Sequence, residues 1–166
     1  MKIAIVSDTH GNVKNFKKVI AWINKENVKV ILHCGDIGSP ESFRESLEGF
    51  DGKLYGVLGN MDKDYRLDLK DYQSPNVKIY EELGEVVIED KKIAIIHRPD
   101  RNQELAMSGK YDFVFYGHTH KPWEETIGSC RVINPGETAG QIFKPTFAVY
   151  DFKTNKLELK ILEMLG

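Results

Sequence analysis

The order of apolar and polar positions divides the chain into two stretches of different rhythm. In the first, short unbroken apolar runs alternate with helical spacing. Lys2 to Ser7 (KIAIVS) is a continuous run rich in isoleucine and valine, which predicts a fully buried strand. It ends at Asp8-Thr9-His10-Gly11-Asn12, where Asn12 can cap a helix whose Val13, Phe16, Val19, Ile20 and Ile23 recur on one face. Val28 to Leu32 is the next strand and runs into His33-Cys34-Gly35-Asp36. Ser39-Pro40 is a helix start, with Phe43 and Leu47 on its inner side. Lys53 to Leu58 is a third strand, ending at Gly59-Asn60-Met61-Asp62. Strand, polar motif and helix in alternation predict parallel strands with right-handed crossovers. In such sheets ligands gather beyond the carboxyl ends of the strands.

The second stretch reads differently. Residues 65–74 are polar, with room for one short helix. Glu85 to Glu89 and Lys92 to Ile96 flank Asp90-Lys91, a hairpin turn, and the second of these strands ends at His97. Gln103 to Met107 predicts a short helix stopped by Gly109. Phe113 to Tyr116 is an apolar run into Gly117-His118-Thr119-His120, where Gly117 allows a tight turn. Arg131 to Ile133 leads to the turn Asn134-Pro135-Gly136, and Thr146 to Phe152 with Lys156 to Leu162 form a closing hairpin. This part reads as a mostly antiparallel sheet. The fold class expected is α/β, an α+β sandwich of two packed sheets with helices outside, forming a single domain over residues 1–166.

Composition narrows the function classes. The chain is 41% hydrophobic and 29% charged, as in an ordinary soluble globular protein. A net charge of −2 argues against a protein dedicated to the nucleic-acid backbone. The apolar stretch at the N-terminus is too short for a signal peptide or a membrane span. Cys34 and Cys130 lie far apart without zinc or redox spacing, which suits buried thiols in a reducing compartment. A cytoplasmic location with no membrane partner is therefore expected. Trp22, Trp123 and Phe143 suit either a core or an interface, so a homo-oligomer is possible.

The candidate chemistry lies just after the strand ends: Asp8, His10, Asp36, Asn60, His97, His118 and His120. Each has an ordinary structural role open to it. Asp8 can cap a turn, Asn60 and Asp62 can form a loop after Gly59, and His97 can be a satisfied core histidine. Their recurrence at one edge is harder to assign to chance. Every histidine of the chain except His33 falls in the set. The set exceeds what one structural zinc needs, and it contains no thiolate. Carboxylates, imidazoles and a carboxamide suit a pair of ions such as Mn²⁺, Fe²⁺ or Zn²⁺, which together can clamp and hydrolyse a phosphate ester.

Asp8-Thr9-His10, Gly35-Asp36, Gly59-Asn60, His97 and Gly117-His118-Thr119-His120 closely resemble the motifs of the calcineurin-like metallophosphoesterases. By length and by the Asn134-Pro135-Gly136 turn, the chain is most similar to the small single-domain archaeal and bacterial phosphodiesterases. The resemblance implies two mixed sheets flanked by helices and two divalent ions, manganese foremost, with iron, zinc, nickel or cobalt as alternatives. It implies that Asp8, His10, Asp36 and His120 hold one ion and that Asp36, Asn60, His97 and His118 hold the other, Asp36 bridging. A hydroxide between the ions would attack phosphorus in line with the leaving oxygen of a small phosphate-ester substrate. Asp36, Asn60, His10 and Asp62 are the candidate catalytic residues, with Asp62 orienting Asn60 or a water.

The chain also departs from the family. Many members carry His after the Gly-Asn pair, where this chain has Met61, which neither donates a proton nor carries charge. Esters with acidic leaving groups should suffer least from that change. Many carry Gly after the histidine equivalent to His97; here Arg98-Pro99-Asp100-Arg101 follows. Arg98 and Arg101 are candidates to meet a substrate phosphate, with a solvated charged loop as the alternative, and Lys121 is a weaker candidate. His33, at a buried strand end, suits packing or support of the site. A non-catalytic scaffold of the same fold is the competing reading, but such scaffolds lose metal ligands and this chain keeps the full set. A nuclease of the same superfamily would carry added segments for gripping nucleic acid, so nucleic acid is not expected as a dedicated partner.

Overall fold

The continuous apolar runs become central strands because both of their faces are covered. This is seen in a computed structural model that describes residues 1–64 and 68–166. In β1 (Lys2–Val6), Ala4 and Val6 face helices α1 (Val13–Lys25) and α2 (Pro40–Ser46), while Ile3 and Ile5 face the other sheet. The period of two thus divides one apolar run between two cores. Asn12 caps α1 by accepting from the Asn15 N–H, and Ser39 caps α2 by accepting from the Ser42 N–H.

β1, β2 (Val30–His33), β3 (Lys53–Val57) and β4 (Val77–Tyr80) are mutually parallel, and α3 (Asn60–Asp64) follows β3. The second sheet contains β5 (Gly84–Ile88), β6 (Lys91–Ile95), β7 (Phe113–Phe115), β8 (Trp123–Ile127) and β9 (Cys130–Asn134), in the order β5-β6-β7-β9-β8. Helix α4 (Asn102–Met107) covers its outer face, where Leu105 and Ala106 pack with Val114 and Val132. Between the sheets lie Ile5, Leu32, Val57, Ile93, Ile95, Phe113, Phe115 and Ile133.

Three expectations are corrected. The second sheet is mixed: β6, β7 and β9 run parallel, and only its edge pairs are antiparallel. A three-residue strand buried on both sides, such as β7, is reached by crossovers rather than hairpins. The closing hairpin, β10 (Thr146–Asp151) and β11 (Lys156–Ile161), joins the first sheet instead, with β10 antiparallel to β1. The turn between β5 and β6 also falls one residue early, at Glu89-Asp90, whose φ of 49° and 62° give the doubly left-handed turn that matches strand twist. Tyr65, Arg66 and Leu67 lie outside the described residues, and among the described residues of 65–74 a 3-10 turn occupies Leu69–Tyr72. Trp22 packs edge-on to Phe147, whereas Trp123 and Phe143 are exposed. Among the described residues no helix is long and apolar enough to cross a membrane.

Candidate metal centre

The carboxyl ends of both sheets meet at one edge. Asp8 and His10 follow β1, Asp36 follows β2 and Asn60 follows β3; His97 follows β6, and His118 and His120 follow β7. Backbone hydrogen bonds join these loops: Asp8 N–H to Gly35 O at 2.9 Å, His10 N–H to Asp36 O at 2.9 Å and Gly117 N–H to His97 O at 3.0 Å. Asp8, His10, Asp36, His118 and His120 all have left-handed backbone, with φ of 51°, 45°, 54°, 69° and 63°. For side chains bearing a Cβ that geometry costs about 1–2 kcal/mol each, and strain of this kind gathers where function requires it. Gly117 is not among the left-handed residues; its need is close approach. A Cβ there would lie 2.0 Å from Ser7 Oγ, and one on Gly59 would lie 2.0 Å from Asp36 Oδ1. His118 and His120 converge through their own left-handed turns rather than by alternation along an extended strand, while Thr119 turns away and its hydroxyl accepts from Asn134 Nδ2.

The side chains make two histidine pairs around two carboxylates. His10 and His120 have ring centroids 5.3 Å apart, and His97 and His118 5.1 Å. Asp8 Oδ1 faces His120 Nε2 at 3.2 Å and His10 Nε2 at 3.6 Å. Asp36 Oδ2 lies 3.7 Å from His10 Nε2 and 3.3 Å from His97 Nε2, between the pairs. Asn60 Oδ1 is 2.9 Å from His97 Nε2 and 3.1 Å from His118 Nδ1. Two donor groups, Asp8 with His10 and His120, and Asp8 with Asp36 and His97, could each hold a metal ion.

Hydrogen bonding outside the cluster decides which lone pairs point in. His97 Nδ1 is 2.7 Å from Cys34 O, a carbonyl that only accepts, so this nitrogen carries the proton and Nε2 faces inward. Ser7 Oγ donates to Asp8 Oδ2, which also takes the His118 N–H, leaving Asp8 Oδ1 inside. Asp36 Oδ1 accepts from the Met61 N–H, leaving Oδ2 inside. Asp8 Oδ1 and His10 Nε2 are buried without a hydrogen-bond partner, an arrangement that costs about 1–3 kcal/mol per group unless something else fills the space. Orphaned lone pairs on oxygen and imidazole nitrogen fit divalent cations.

Charge follows the same geometry. Burial opposes ionisation of Asp8, but the facing imidazoles of His10 and His120, the charge of His97 and the Ser7 hydroxyl prevail and hold its carboxyl well below the usual range. Burial likewise opposes Asp36, and His97 and the Met61 N–H overcome it and lower its pKa. The facing Asp8 carboxylate, reinforced by Glu137, pushes the His120 imidazole up to about 9. Burial lowers His118, with His97 and Arg98 adding repulsion.

Some expected residues are placed differently. The Asp62 carboxylate, 1% exposed, accepts from the N–H groups of Ile37, Gly38 and Gly59 at 2.8–3.0 Å. It anchors the loops bearing Asp36 and Asn60 instead of entering the cluster, and burial raises its pKa against these bonds. Arg101 makes a bidentate pair with Glu104, at 3.2 and 3.1 Å. Arg98 and Arg101 line a hollow of 210 Å³ that also includes Leu58, Asn60, Ile96 and His97. Lys121 is exposed and lies over the Trp123 ring. Met61 lines an open cleft of 700 Å³ with His10, Asp36, Ser39, Ser42, Asn60, His118, His120 and Gln141.

His33 sits outside the cluster, boxed by Phe16 and Phe43. A buried residue outside the strand-end motifs also touches the cluster: Glu137, whose Oε2 lies 2.9 Å from His120 Nδ1. The Asn134-Pro135-Gly136 turn just before it was the available signal. Asn134 itself supports the site, donating from Nδ2 to Gly117 O and Thr119 Oγ1, both at 3.0 Å.

Two packed mixed sheets that deliver carboxylates, imidazoles and a carboxamide to a shared carboxyl edge define the class of metal-site phosphoesterases. The sequence profile of the calcineurin-like phosphoesterase superfamily domain matches residues 1–155, and the chain belongs to that superfamily. A phosphodiesterase of Methanocaldococcus jannaschii, MJ0936, is 36% identical over 169 residues, spanning 98% of this chain and all of that protein. The structure of an archaeal phosphodiesterase superposes with a TM-score of 0.86 at 34% identity, covering 97% of this chain and 99% of the other. Vacuolar protein sorting 29 of Cryptosporidium parvum superposes with a TM-score of 0.69 at 21% identity, covering 96% of this chain and 95% of its own; at that identity the likeness is one of fold.

Proposed function

We propose that this chain is a phosphodiesterase working with two divalent transition-metal ions, one held by Asp8, His10, Asp36 and His120 and the other by Asp36, Asn60, His97 and His118. The observation that carries the reading is Asp36 Oδ2, which faces His10 Nε2 on one side and His97 Nε2 on the other, with Asp8 Oδ1 and His10 Nε2 left unpartnered beside it. The oxygen-and-imidazole donor set suits manganese first, with iron, zinc, nickel and cobalt compatible. When bound, such ions polarise the phosphoryl oxygens and supply a hydroxide nucleophile at neutral pH.

The chain's own residues do the rest. The anchored loops hold the donors in place, so little reorganisation is needed when charge develops on phosphorus. The 700 Å³ cleft, with Ser39, Ser42 and Gln141 on its walls, has room for the organic part of a small ester. Arg98, on the rim of the hollow beside Asn60 and His97, is the cation that meets the phosphate; Arg101 is restrained by Glu104 and contributes less. Met61 lines the cleft where a histidine would donate a proton to the leaving oxygen, so diesters with acidic leaving groups are favoured over monoesters. Both free cysteines are buried, in keeping with a reducing, cytoplasmic setting.

The test is a reconstitution panel. EDTA-stripped protein is loaded with Mn²⁺, Fe²⁺, Zn²⁺, Ni²⁺ or Co²⁺ and assayed on bis(p-nitrophenyl) phosphate, p-nitrophenyl phosphate, cyclic nucleotides and short oligonucleotides. Metal-dependent turnover, faster on the diester than on the monoester, is the expected result. Protein that takes up no metal and hydrolyses none of these overturns the reading in favour of a scaffold.

A further inference from the structure

The backs of the inward-facing histidines differ. His97 Nδ1 rests on the neutral carbonyl of Cys34, and His118 Nδ1 faces Asn60 within the cluster. His120 Nδ1 rests on a buried carboxylate: Glu137 is 0% exposed and its Oε2 lies 2.9 Å away. That same carboxylate gathers three backbone donors, Gln141 N–H at 2.8 Å to Oε2, and Ile142 N–H at 2.6 Å and Phe143 N–H at 2.5 Å to Oε1. Gln141 is a wall of the cleft. One side chain therefore joins the His120 ring to the cleft loop.

We infer that Glu137 is a positioning residue that makes the Asp8–His10–His120 position the tighter of the two cation positions and fixes the adjoining cleft loop to it. The inference rests on the metal reading above. The Glu137 carboxylate takes three backbone N–H donors and serves as the acceptor toward His120, so with a cation in place the one ring proton sits on Nδ1 and the Nε2 lone pair is left to the cation beside Asp8 Oδ1. The buried negative charge behind the ring makes Nε2 a stronger donor to a cation. Among the described residues, no such carboxylate stands behind a histidine of the Asn60–His97–His118 position. Its neutral Asn60 and carbonyl-backed His97 leave it the weaker of the two. The competing account is purely structural: Glu137 is present to tie down residues 141–143, and its contact with His120 has no consequence for the ion.

Calorimetric titration of EDTA-stripped protein with Mn²⁺ separates the two. In Glu137→Gln the tighter binding step is expected to weaken by about 10–100-fold, with the weaker step within about threefold of wild type. In a His120→Ala background the same substitution is expected to change nothing further, because the ring through which it acts is gone. Equal losses at both steps, or a loss that persists without His120, overturn the inference. A second measurement needs no variant to fold. In zinc-loaded wild-type protein labelled with ¹⁵N-histidine, His120 is expected to carry its proton on Nδ1, with an unprotonated Nε2 turned to the cation; the opposite tautomer overturns the inference. Neither readout depends on ester hydrolysis. A protein that binds two unequal cations yet cleaves no ester would keep this inference and sink the phosphodiesterase reading.

Discussion

Asp36 keeps one oxygen on the Met61 N–H and turns the other toward both histidine pairs, so a single carboxylate faces both. Under the two-ion proposal, Asp36→Asn preserves the shape of the side chain but removes the charge that would offset repulsion between the cations. Turnover is expected to fall by about 10³-fold or more, since metal polarisation is worth several kcal/mol of barrier. The apoprotein should keep its circular dichroism spectrum. Turnover near the wild-type level would remove the bridging role. Met61 is the complementary case, a cleft residue with no proton to give. Met61→His is expected to raise the monoester-to-diester rate ratio by about tenfold or more, within the range of general-acid assistance. An unchanged ratio would mean that leaving-group protonation does not set substrate choice. At this scale the residues that gather at the carboxyl edge were legible, because each stands after an apolar strand. Glu137 was not: it follows a turn, belongs to no apolar period, and meets His120 only through the tertiary fold. Asp62 is visible from its position after Gly59-Asn60, but the backbone donors that its carboxylate takes up belong to the tertiary fold.

Elements were legible in proportion to their burial. β1, β2, β3, β6 and β7 are apolar on both faces, and their runs marked them in the sequence. The edge strands β4 and β8 were missed. β8 has four exposed residues and one half-buried, so its pairing with β9 has no apolar signature. The closing hairpin was recognised but its sheet was not, because β10 carries apolar residues on both faces and nothing local says which neighbour it joins. The loops after β2 and β3 owe their shape to Asp62, so a prediction belongs here. Asp62→Ala would leave the buried N–H groups of Ile37, Gly38 and Gly59 without an acceptor. A loss of about 2–4 kcal/mol in urea unfolding is expected, together with weaker metal uptake as the loops bearing Asp36 and Asn60 loosen. An unfolding midpoint matching wild type, with activity alone lost, would restore a direct catalytic role for Asp62.

For the molecule as a whole, the acid limit of stability turns on His33, which lies in the core beneath the site. The ring is 0% exposed, and its Nδ1 accepts from the Gly35 N–H at 3.1 Å. The proton must then sit on Nε2, which donates to Thr9 Oγ1 at 3.0 Å, and the Thr9 hydroxyl in turn donates to Ile37 O at 2.9 Å. Protonating Nδ1 would break the Gly35 contact and place a charge among Phe16 and Phe43, and burial accordingly brings the imidazole down to about 3. Unfolding returns it to the ordinary value near 6.5. Below that pH the unfolded chain binds the extra proton, so the stability contributed by neutral His33 is complete above about 6.5 and is lost as the pH falls toward 3. One such group gives a slope of about 1.4 kcal/mol per pH unit. The depressed carboxylates Asp8 and Asp36 add losses of the same sign at the acid end. The His33 share is therefore read as a difference. Urea unfolding of EDTA-stripped wild type and His33→Gln, run from pH 7 to pH 4, should show a slope steeper in wild type by about 1.4 kcal/mol per unit. Parallel slopes would mean that the ring is already charged in the fold, and that the Gly35–His33–Thr9 chain does not hold it neutral.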